Sequence, residues 1–440
     1  MPTYSEAVEG LYALGAELAN PKPRRKFDLK NMRVLVEALG HPERRFRNVL
    51  VAGTNGKGST SADLASILST AGYKTGLFTS PHLIRVNERI RMDGALVTDL
   101  EFANLYGSVQ TVAERLVDNG SLEAIPSFFE TVTAMAFLHF AANAVDIAVL
   151  EVGLGGRLDA TNVTEPLLSI ITDIDLDHQQ WLGDTLGEIA HEKAGIMRPE
   201  RPVILLAQHP EVNRALGEHA MSISAQAVNA SPYLPDTSPS GATTGAYTVQ
   251  WDGAAIRVDS PLHGRHQWRN LALALAAACE LKSNYGFDRI TPAAVETGIH
   301  AVRWPGRLQR ITYKGCDFIL DVAHNPAGAW ALRSALNDLE VPAPTIIFGA
   351  MQDKDIREIA TVLFPVADQV ILTRAQSPRA AEPSELAMMS AHTGAEPALT
   401  ASITEAIEHA VTSARGMIVI TGSVYVVGEA LAILAPESAG

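Results

Sequence analysis

The sequence predicts an α/β protein built mostly on parallel sheets, arranged as two successive units. Short apolar runs alternate with segments of helical spacing, as in folds whose strands are joined by crossover helices. A second series of the same kind begins after Arg307. An apolar strand runs directly into a glycine-rich turn and a helix start at Val49–Thr60.

The expected strands of the first series are Asn48–Ala52, Lys74–Thr79, Asp146–Glu151, Leu168–Asp173 and Pro202–Ala207. Those of the second are Phe318–Val322, Thr345–Gly349, Gln369–Thr373 and Met417–Thr421. Ser59–Ala71 and Pro326–Leu339 carry helical spacing. Asn229–Gly245, rich in Ser, Pro, Thr and Gly, reads as a surface loop. Tyr247–Trp251 and Ala255–Val258 flank Asp252-Gly253, a hairpin signal, and a helix is expected from about Asn270. The break at Trp304-Pro305-Gly306 puts the boundary between Gly298 and Arg307.

Composition narrows the function. A chain of 440 residues is long for one core and suggests two or three domains. With 47% apolar and 19% charged residues it can bury cores and is not a disordered chain. A net charge of −14, with only the short Arg24–Lys26 run of cations, argues against nucleic-acid binding. Cys279 and Cys316 are far apart and lack metal-ligand spacing, so they read as reduced thiols. The amino-terminal residues do not follow the order of a signal peptide. Val132–Leu150, the most apolar stretch, carries His139, Asn143 and Asp146, so no membrane span is expected and the location is expected to be cytoplasmic.

Gly53-Thr54-Asn55-Gly56-Lys57-Gly58-Ser59 after a strand makes an anion site. Glycines let backbone N–H groups point inward, the helix start adds positive potential, and Lys57 can reach terminal phosphates. The spacing departs from the standard Walker pattern: Val51 stands at the first glycine, and Gly58 replaces the hydroxyl that normally binds Mg²⁺. That ligand must come from Ser59 or a more distant hydroxyl.

Three later segments end apolar strands with polar residues, where ligands bind in open α/β sheets. Ser80 could supply the missing hydroxyl, although alone it reads as a Ser-Pro turn. Glu151 stands where a Walker-B-type acid binds Mg²⁺, the alternative being a capped surface acid. The glycines that follow are no dinucleotide fingerprint, because Leu158 occupies the third glycine position. Asp173, Asp175, Asp177 and His178 resemble a site for a hard cation. Lys193 lies near the end of a helix expected to stop at Gly195; on spacing alone it reads as solvated or salt-bridged. In the second series, Asp321 and His324 are expected to face the crevice between domains, and Asn325 can cap the helix that begins with Pro326.

Taken in order, Gly53–Ser59, Thr79-Ser-Pro-His-Leu83, Glu151-Val-Gly-Leu-Gly-Gly156, Asp177-His178, Glu192-Lys-Ala-Gly-Ile196, Trp304-Pro-Gly-Arg307 and Asp321-Val-Ala-His-Asn325 resemble the folylpolyglutamate synthase/dihydrofolate synthase family of the Mur ligase superfamily. The match runs from about Phe27 to Gly428. Val322 departs from a glycine common at its position.

The resemblance implies an N-terminal P-loop ATPase domain at 1–300, a linker at 301–307 and a C-terminal Rossmann-like glutamate ligase domain at 308–440. ATP would lie between them, held by Thr54, Asn55, Gly56, Lys57, Gly58 and Ser59 with Asn270, Arg307 and Asp321. Ser80, Glu151 and His178 would bind Mg²⁺. Lys193, carbamylated in the family, would add an oxygen ligand for a second Mg²⁺. Ser127, Phe128, Phe129 and Glu130, with Leu158, Asp159 and Ala160, align with pterin-contacting loops; an N-terminal contact falls near Leu29–Asn31. Lys57, Lys193 and His324 would be catalytic.

The expected reaction joins L-glutamate to a folate or dihydropteroate with ATP, through an acyl phosphate, in a monomeric enzyme. It covers the first glutamate, later ones, or both, and the presence of the pterin-loop residues favours both. The Thr-Ser-Pro-His-Leu and Trp-Pro-Gly-Arg segments favour this branch over a cell-wall ligase. A P-loop kinase or nucleotide switch would need only the first unit, and a non-enzymatic binding module fits least with ligand-type residues at several strand ends.

Overall fold

The structure, a computed structural model, describes residues 2–15, 28–236 and 246–436. The Arg24–Lys26 run lies outside these residues.

The apolar runs form strands, most of them trimmed by a residue or two. In the first half these are β1 (Arg47–Ala52), β2 (Thr75–Phe78), β3 (Ile90–Met92), β4 (Ala95–Leu96), β5 (Ile147–Glu151), β6 (Leu168–Ile171), β7 (Pro202–Leu205) and β8 (Gln226–Asn229). They make one eight-stranded sheet in the order β4-β3-β2-β5-β1-β6-β7-β8. The pairs from β2 to β8 are parallel, while β3 and β4 add antiparallel to the β2 edge. β1 is central because Val49–Ala52 is apolar on both faces and fully buried. Its carboxyl end therefore lies between those of β5 and β6, and three loops with polar residues meet there.

β9 (Tyr247–Trp251) and β10 (Ala254–Val258) form the expected hairpin. Asp252 and Gly253 have φ of 48° and 77°, the positive values that a two-residue turn of this twist requires. In the second half β11 (Gln309–Tyr313), β12 (Cys316–Leu320), β13 (Thr345–Phe348), β14 (Gln369–Leu372), β15 (Ala398–Leu399) and β16 (Ile418–Thr421) form a separate sheet. Its order is β11-β12-β16-β13-β14-β15, parallel except for β11.

Several expectations need correction. The helix expected from Asn270 begins at Arg265 and runs to Tyr285, because Gly264 (φ 101°) ends the preceding loop. Asn229 is the last residue of β8, and Ser231–Tyr233 is a 3₁₀ turn; 237–245 lie outside the described residues. The helix Pro292–Ala301 ends within the expected boundary, before the Trp304-Pro-Gly break. β3, β4, β8, β11 and β15 carry too few apolar residues to stand out in the sequence. Val132–Leu150 divides between the buried helix Phe128–Ala142 and β5. Among the described residues no helix is long and apolar enough to cross a membrane. Both cysteines are free thiols.

The helix Lys57–Thr70 is buried on nearly every side, which places Asp63 in an apolar interior at 1% exposure. Among the described residues its Oδ1 has no hydrogen-bond partner, and neither has the Tyr247 hydroxyl. Burial raises the Asp63 carboxyl well above the usual range, and burial followed by Asp63 raises the Tyr247 phenol. A carboxyl raised on folding binds more protons folded than unfolded. Stability is then present below the unfolded carboxylate value and is lost as pH rises above it. Asp63→Asn should raise the melting temperature at neutral pH and flatten this decline. Parallel melting curves from pH 5 to 8 for the two proteins check it.

Candidate active site

The phosphate loop is shaped by what lies beneath it. Gly53 (φ 151°) and Gly56 (φ 90°) take conformations that favour glycine. A Cβ on Gly53 would overlap the Thr172 hydroxyl, and one on Gly56 the Asn270 side-chain oxygen. The loop after β6 holds the turn from below. Thr54 and Asn55 donate backbone N–H groups to the Asp173 carbonyl at 2.8 and 3.1 Å, and the Thr54 hydroxyl donates to the Asp175 carbonyl at 3.0 Å. Arg269 clamps the Asp173 carboxylate with contacts of 2.6–3.1 Å. Lys57 folds over its own turn, donating to the carbonyls of Gly53 (3.2 Å) and Thr54 (3.1 Å). The Ser59 hydroxyl, in the first turn of the helix, is buried without a partner among the described residues.

The structure explains the missing Walker hydroxyl. A Cβ at Gly58 would lie 3.1 Å from the Trp304 indole, which also stacks under Arg91. Trp304 therefore fills the space that a Ser or Thr side chain would use.

Glu151, the end of β5, is 4% exposed, so the surface-acid alternative fails. It accepts from the Ser80 N–H at 3.1 Å. Burial lifts its carboxyl to about 7, against the pull of Lys57 and Arg307. Ser80, Glu151, Gly58, Trp304 and Arg307 line one cleft, closed on the far side by Val424 of the second half.

Lys193 corrects the expectation of a solvated or salt-bridged residue. It is 4% exposed and donates to the Gly53 carbonyl at 2.6 Å. Burial, followed by the charge of Lys57, lowers its amine to about 7. His178 is lowered to about 4, chiefly by burial, so its imidazole is neutral near pH 7. After burial, the charge of Lys57 contributes to the shifts of Glu151, His178, Lys193 and His324, lowering each.

Across the cleft, Asp321 turns toward the linker, accepting from Leu308 N–H and Ala323 N–H at 3.0 Å each. His324 gives its Nδ1 hydrogen to the Val322 carbonyl at 2.9 Å; burial first, then Lys354, lowers it to about 4. Asn325 caps its helix by accepting from Gly328 N–H at 2.8 Å. It also donates to Asn55 of the phosphate loop at 3.0 Å, a contact the capping reading did not anticipate. Lys354, overlooked in the sequence, pairs with Asp177 at 2.7 Å. The Asp-Lys-Asp triplet after β13 was its only signal.

The segments around Ser127–Glu130 and Leu158–Ala160, expected to contact a pterin, lie near each other. Ser127 and Glu130 cap the helix Phe128–Ala142 reciprocally, so both side chains are engaged. Phe129 lies against Gly153, and Phe128 lies under Arg89. Asp159 is consumed within its own loop, accepting from Gly153, Leu154 and Thr161 N–H, while burial raises its carboxyl to about 6. Leu158 and Ala160 flank it, half-buried and buried.

The donors near Lys57 fit a hard cation that keeps part of its water. They are a hydroxyl at Ser80, a carboxyl at Glu151 held by only a backbone N–H, and a neutral imidazole at His178. Among the described residues no three His, Cys, Asp or Glu side chains gather as a full protein cage.

A nucleotide loop facing a second α/β unit across a cleft is the arrangement of an ATP-using ligase. Residues 51–278 match the Mur ligase middle domain and residues 306–424 the Mur ligase glutamate ligase domain. The chain belongs to the Mur ligase family. Within it, the chain belongs to the folylpolyglutamate synthase/dihydrofolate synthase branch. It is 35% identical to a dihydrofolate synthase/folylpolyglutamate synthase of Bacillus subtilis, over 82% of this chain and 85% of that one. It is 33% identical, over 97% of its length, to a probable bifunctional folylpolyglutamate synthase/dihydropteroate synthase of Halobacterium salinarum, and spans 51% of that longer relative. The folylpolyglutamate synthase of Mycobacterium tuberculosis complexed with ADP superimposes with a TM-score of 0.88 at 31% identity, covering 98% of each chain. An FPGS–AMPPCP–folate complex superimposes with a TM-score of 0.82 at 29% identity, covering 99% of this chain and all of that one.

Gly58→Thr should weaken ADP binding about tenfold, since overpacking typically costs about 1–3 kcal/mol. Equilibrium titration reads this; unchanged affinity would mean that Trp304 yields freely.

Proposed function

We propose that this chain is an ATP-dependent ligase that joins L-glutamate both to dihydropteroate and to the glutamate tail of reduced folates. The observation that carries the reading is a cleft lined by both halves, with Gly58 of the glycine-rich turn, Ser80, Glu151, Arg307 and Val424 on its walls. The likeness to an FPGS–AMPPCP–folate complex supports the substrate class.

Forming an amide from a carboxylate and an amine in water is uphill, so ATP must activate the acid. The folate carboxylate attacks the γ-phosphorus. A C–O–P link forms, the bond to ADP breaks, and an acyl phosphate results. Lys57 leaves the Gly53 and Thr54 carbonyls for the phosphates, where it offsets charge developing on the transferred group. Ser80, Glu151 and His178 would hold Mg²⁺, which when bound neutralises phosphate charge. Asn270, Arg307 and Asp321 would frame the rest of the nucleotide. The neutral amino group of glutamate then attacks the acyl carbon, the C–O bond breaks with its electron pair on the departing phosphate, and the proton lost from nitrogen goes to that phosphate.

His324, at about 4, is a poor proton acceptor at neutral pH, so its role is to orient the incoming amine. Lys193 is half neutral near pH 7 and can add CO₂, releasing a proton to leave a carbamate oxygen donor for a second Mg²⁺. The cleft walls exclude water from the acyl phosphate.

The test is glutamate-dependent phosphate release with ATP and Mg²⁺, using dihydropteroate and tetrahydrofolate in parallel. Release with both supports two activities, release with one names a single activity, and release with neither removes folates as substrates. Lys57→Ala should lower kcat by at least about 100-fold with the fold retained. Near-normal turnover would sink the role given to Lys57.

A further inference from the structure

Asp177 is where the second half is fastened to the nucleotide side. Its carboxylate is 11% exposed and belongs to the loop after β6. Three side chains from the second half converge on it. Lys354 Nζ is 2.7 Å from Oδ1, Asn325 Nδ2 donates to Oδ2 at 3.3 Å, and His324 Nε2 lies 3.8 Å from Oδ2. The His178 backbone N–H donates to Oδ1 at 2.9 Å. Asn325 continues the chain, exchanging amide hydrogen bonds of 3.0 and 3.4 Å with Asn55 of the phosphate loop. Lys354 is itself only 9% exposed. A lysine and a carboxylate at this depth are each held in one geometry, because neither can reach water without giving up the other.

We propose that Lys354 is a positioning residue for ligation. It fixes Asp177, and through Asp177 it sets His178 on one side of the cleft and His324 and Asn325 on the other. The loops after β12, β13 and β6 then meet the phosphate loop in one register before substrate arrives. The bridge spans 177 positions of sequence, so neither partner signals the other locally. Lys354 touches neither nucleotide nor acceptor in this role. It acts by placing the groups that do, and displacing such groups by about 1 Å can cost about 100-fold in rate. The assignment rests on the ligase reading above, and its test has one arm that does not need turnover.

The variants are Lys354→Met, Lys354→Arg, Asn325→Ser and the Met/Ser double. Serine keeps the helix cap but is too short to reach Asn55 or Asp177. Steady-state kinetics should show kcat down about 100-fold in K354M, with ADP affinity within about threefold of the parent. K354R should recover at least about tenfold of that loss, and K354M/N325S should be no more than about threefold worse than the poorer single variant, as expected for residues acting as one unit. In parallel, spectra of ¹⁵N-histidine-labelled protein, with His178 and His324 signals assigned through H178Q and H324Q, should show both signals shifted in K354M and restored in K354R.

Unchanged kcat in K354M overturns the proposal. So does a rise in the glutamate KM alone, which would make Lys354 a substrate contact, and so do multiplicative losses in the double variant. If K354M does not fold, N325S carries the same readouts, and unchanged kcat with both histidine signals at parent positions in N325S overturns it. Shifted histidine signals in a protein whose parent turns over no folate would leave the positioning role standing and remove the ligase reading instead.

Discussion

The carbonyl of Gly53 receives two lysines, and the site is organised around that fact. Lys57 reaches it from the helix it begins, and Lys193 from a helix far along the chain. Two ammonium groups on one carbonyl in a buried site repel each other, and neither has a carboxylate in direct contact among the ion pairs of the described residues. Lys193, the more buried, gives way: its amine moves toward neutrality near pH 7. Burial first, with Lys57 adding to it, keeps His178 and His324 neutral, while burial raises the Glu151 carboxyl against the pull of Lys57. A cleft assembled this way holds an excess of unsatisfied positive field at the phosphate loop, which suits a polyanionic nucleotide.

Sheet order makes this convergence possible. β1 lies between β5 and β6, so loops separated by about a hundred residues open on the same edge. The rigid base is local: Thr172 and Asp173 under the turn, and Asn270 against Gly56. The second half contributes through loops after β12 and β13, whose polar tips meet Asp177 and Asn55. Apolar packing also joins the halves. A Cβ on Gly428 would overlap the Leu83 carbonyl, so the Ser80–Leu83 loop is pressed against the final helix. The stretch that carries Ser80 is thereby held from both sides, by Glu151 within the first sheet and by the second half.

Much of this was legible before folding. Buried central strands read as unbroken Val, Ile and Leu runs because both of their faces are covered, and the phosphate loop read from its glycines and lysine. Edge strands such as β4 and β15, two residues each, left no periodic trace. Spacing alone misplaced Lys193 because it cannot report depth: a lysine in an amphipathic helix usually faces water, and this one donates to the Gly53 carbonyl. Lys354 and Arg269 were passed over because their partners, Asp177 and Asp173, are distant in sequence. Ser127, Glu130 and Asp159 were legible as polar residues at turns, but their bonds to caps and loop N–H groups belong to folded geometry.

The sequence by itself determined the local chemistry: which runs could only be buried strands, where the backbone had to bend through glycine, and which acids and hydroxyls ended strands. Those properties depend on neighbours within a few residues. Tertiary structure decided burial and pairing, and through them charge. It put Trp304 where a Walker hydroxyl would go, neutralised a lysine by removing its water, and joined Asp177 to Lys354. Such outcomes depend on the low dielectric of the interior and on chain segments meeting across the two sheets, and neither exists until the chain has folded.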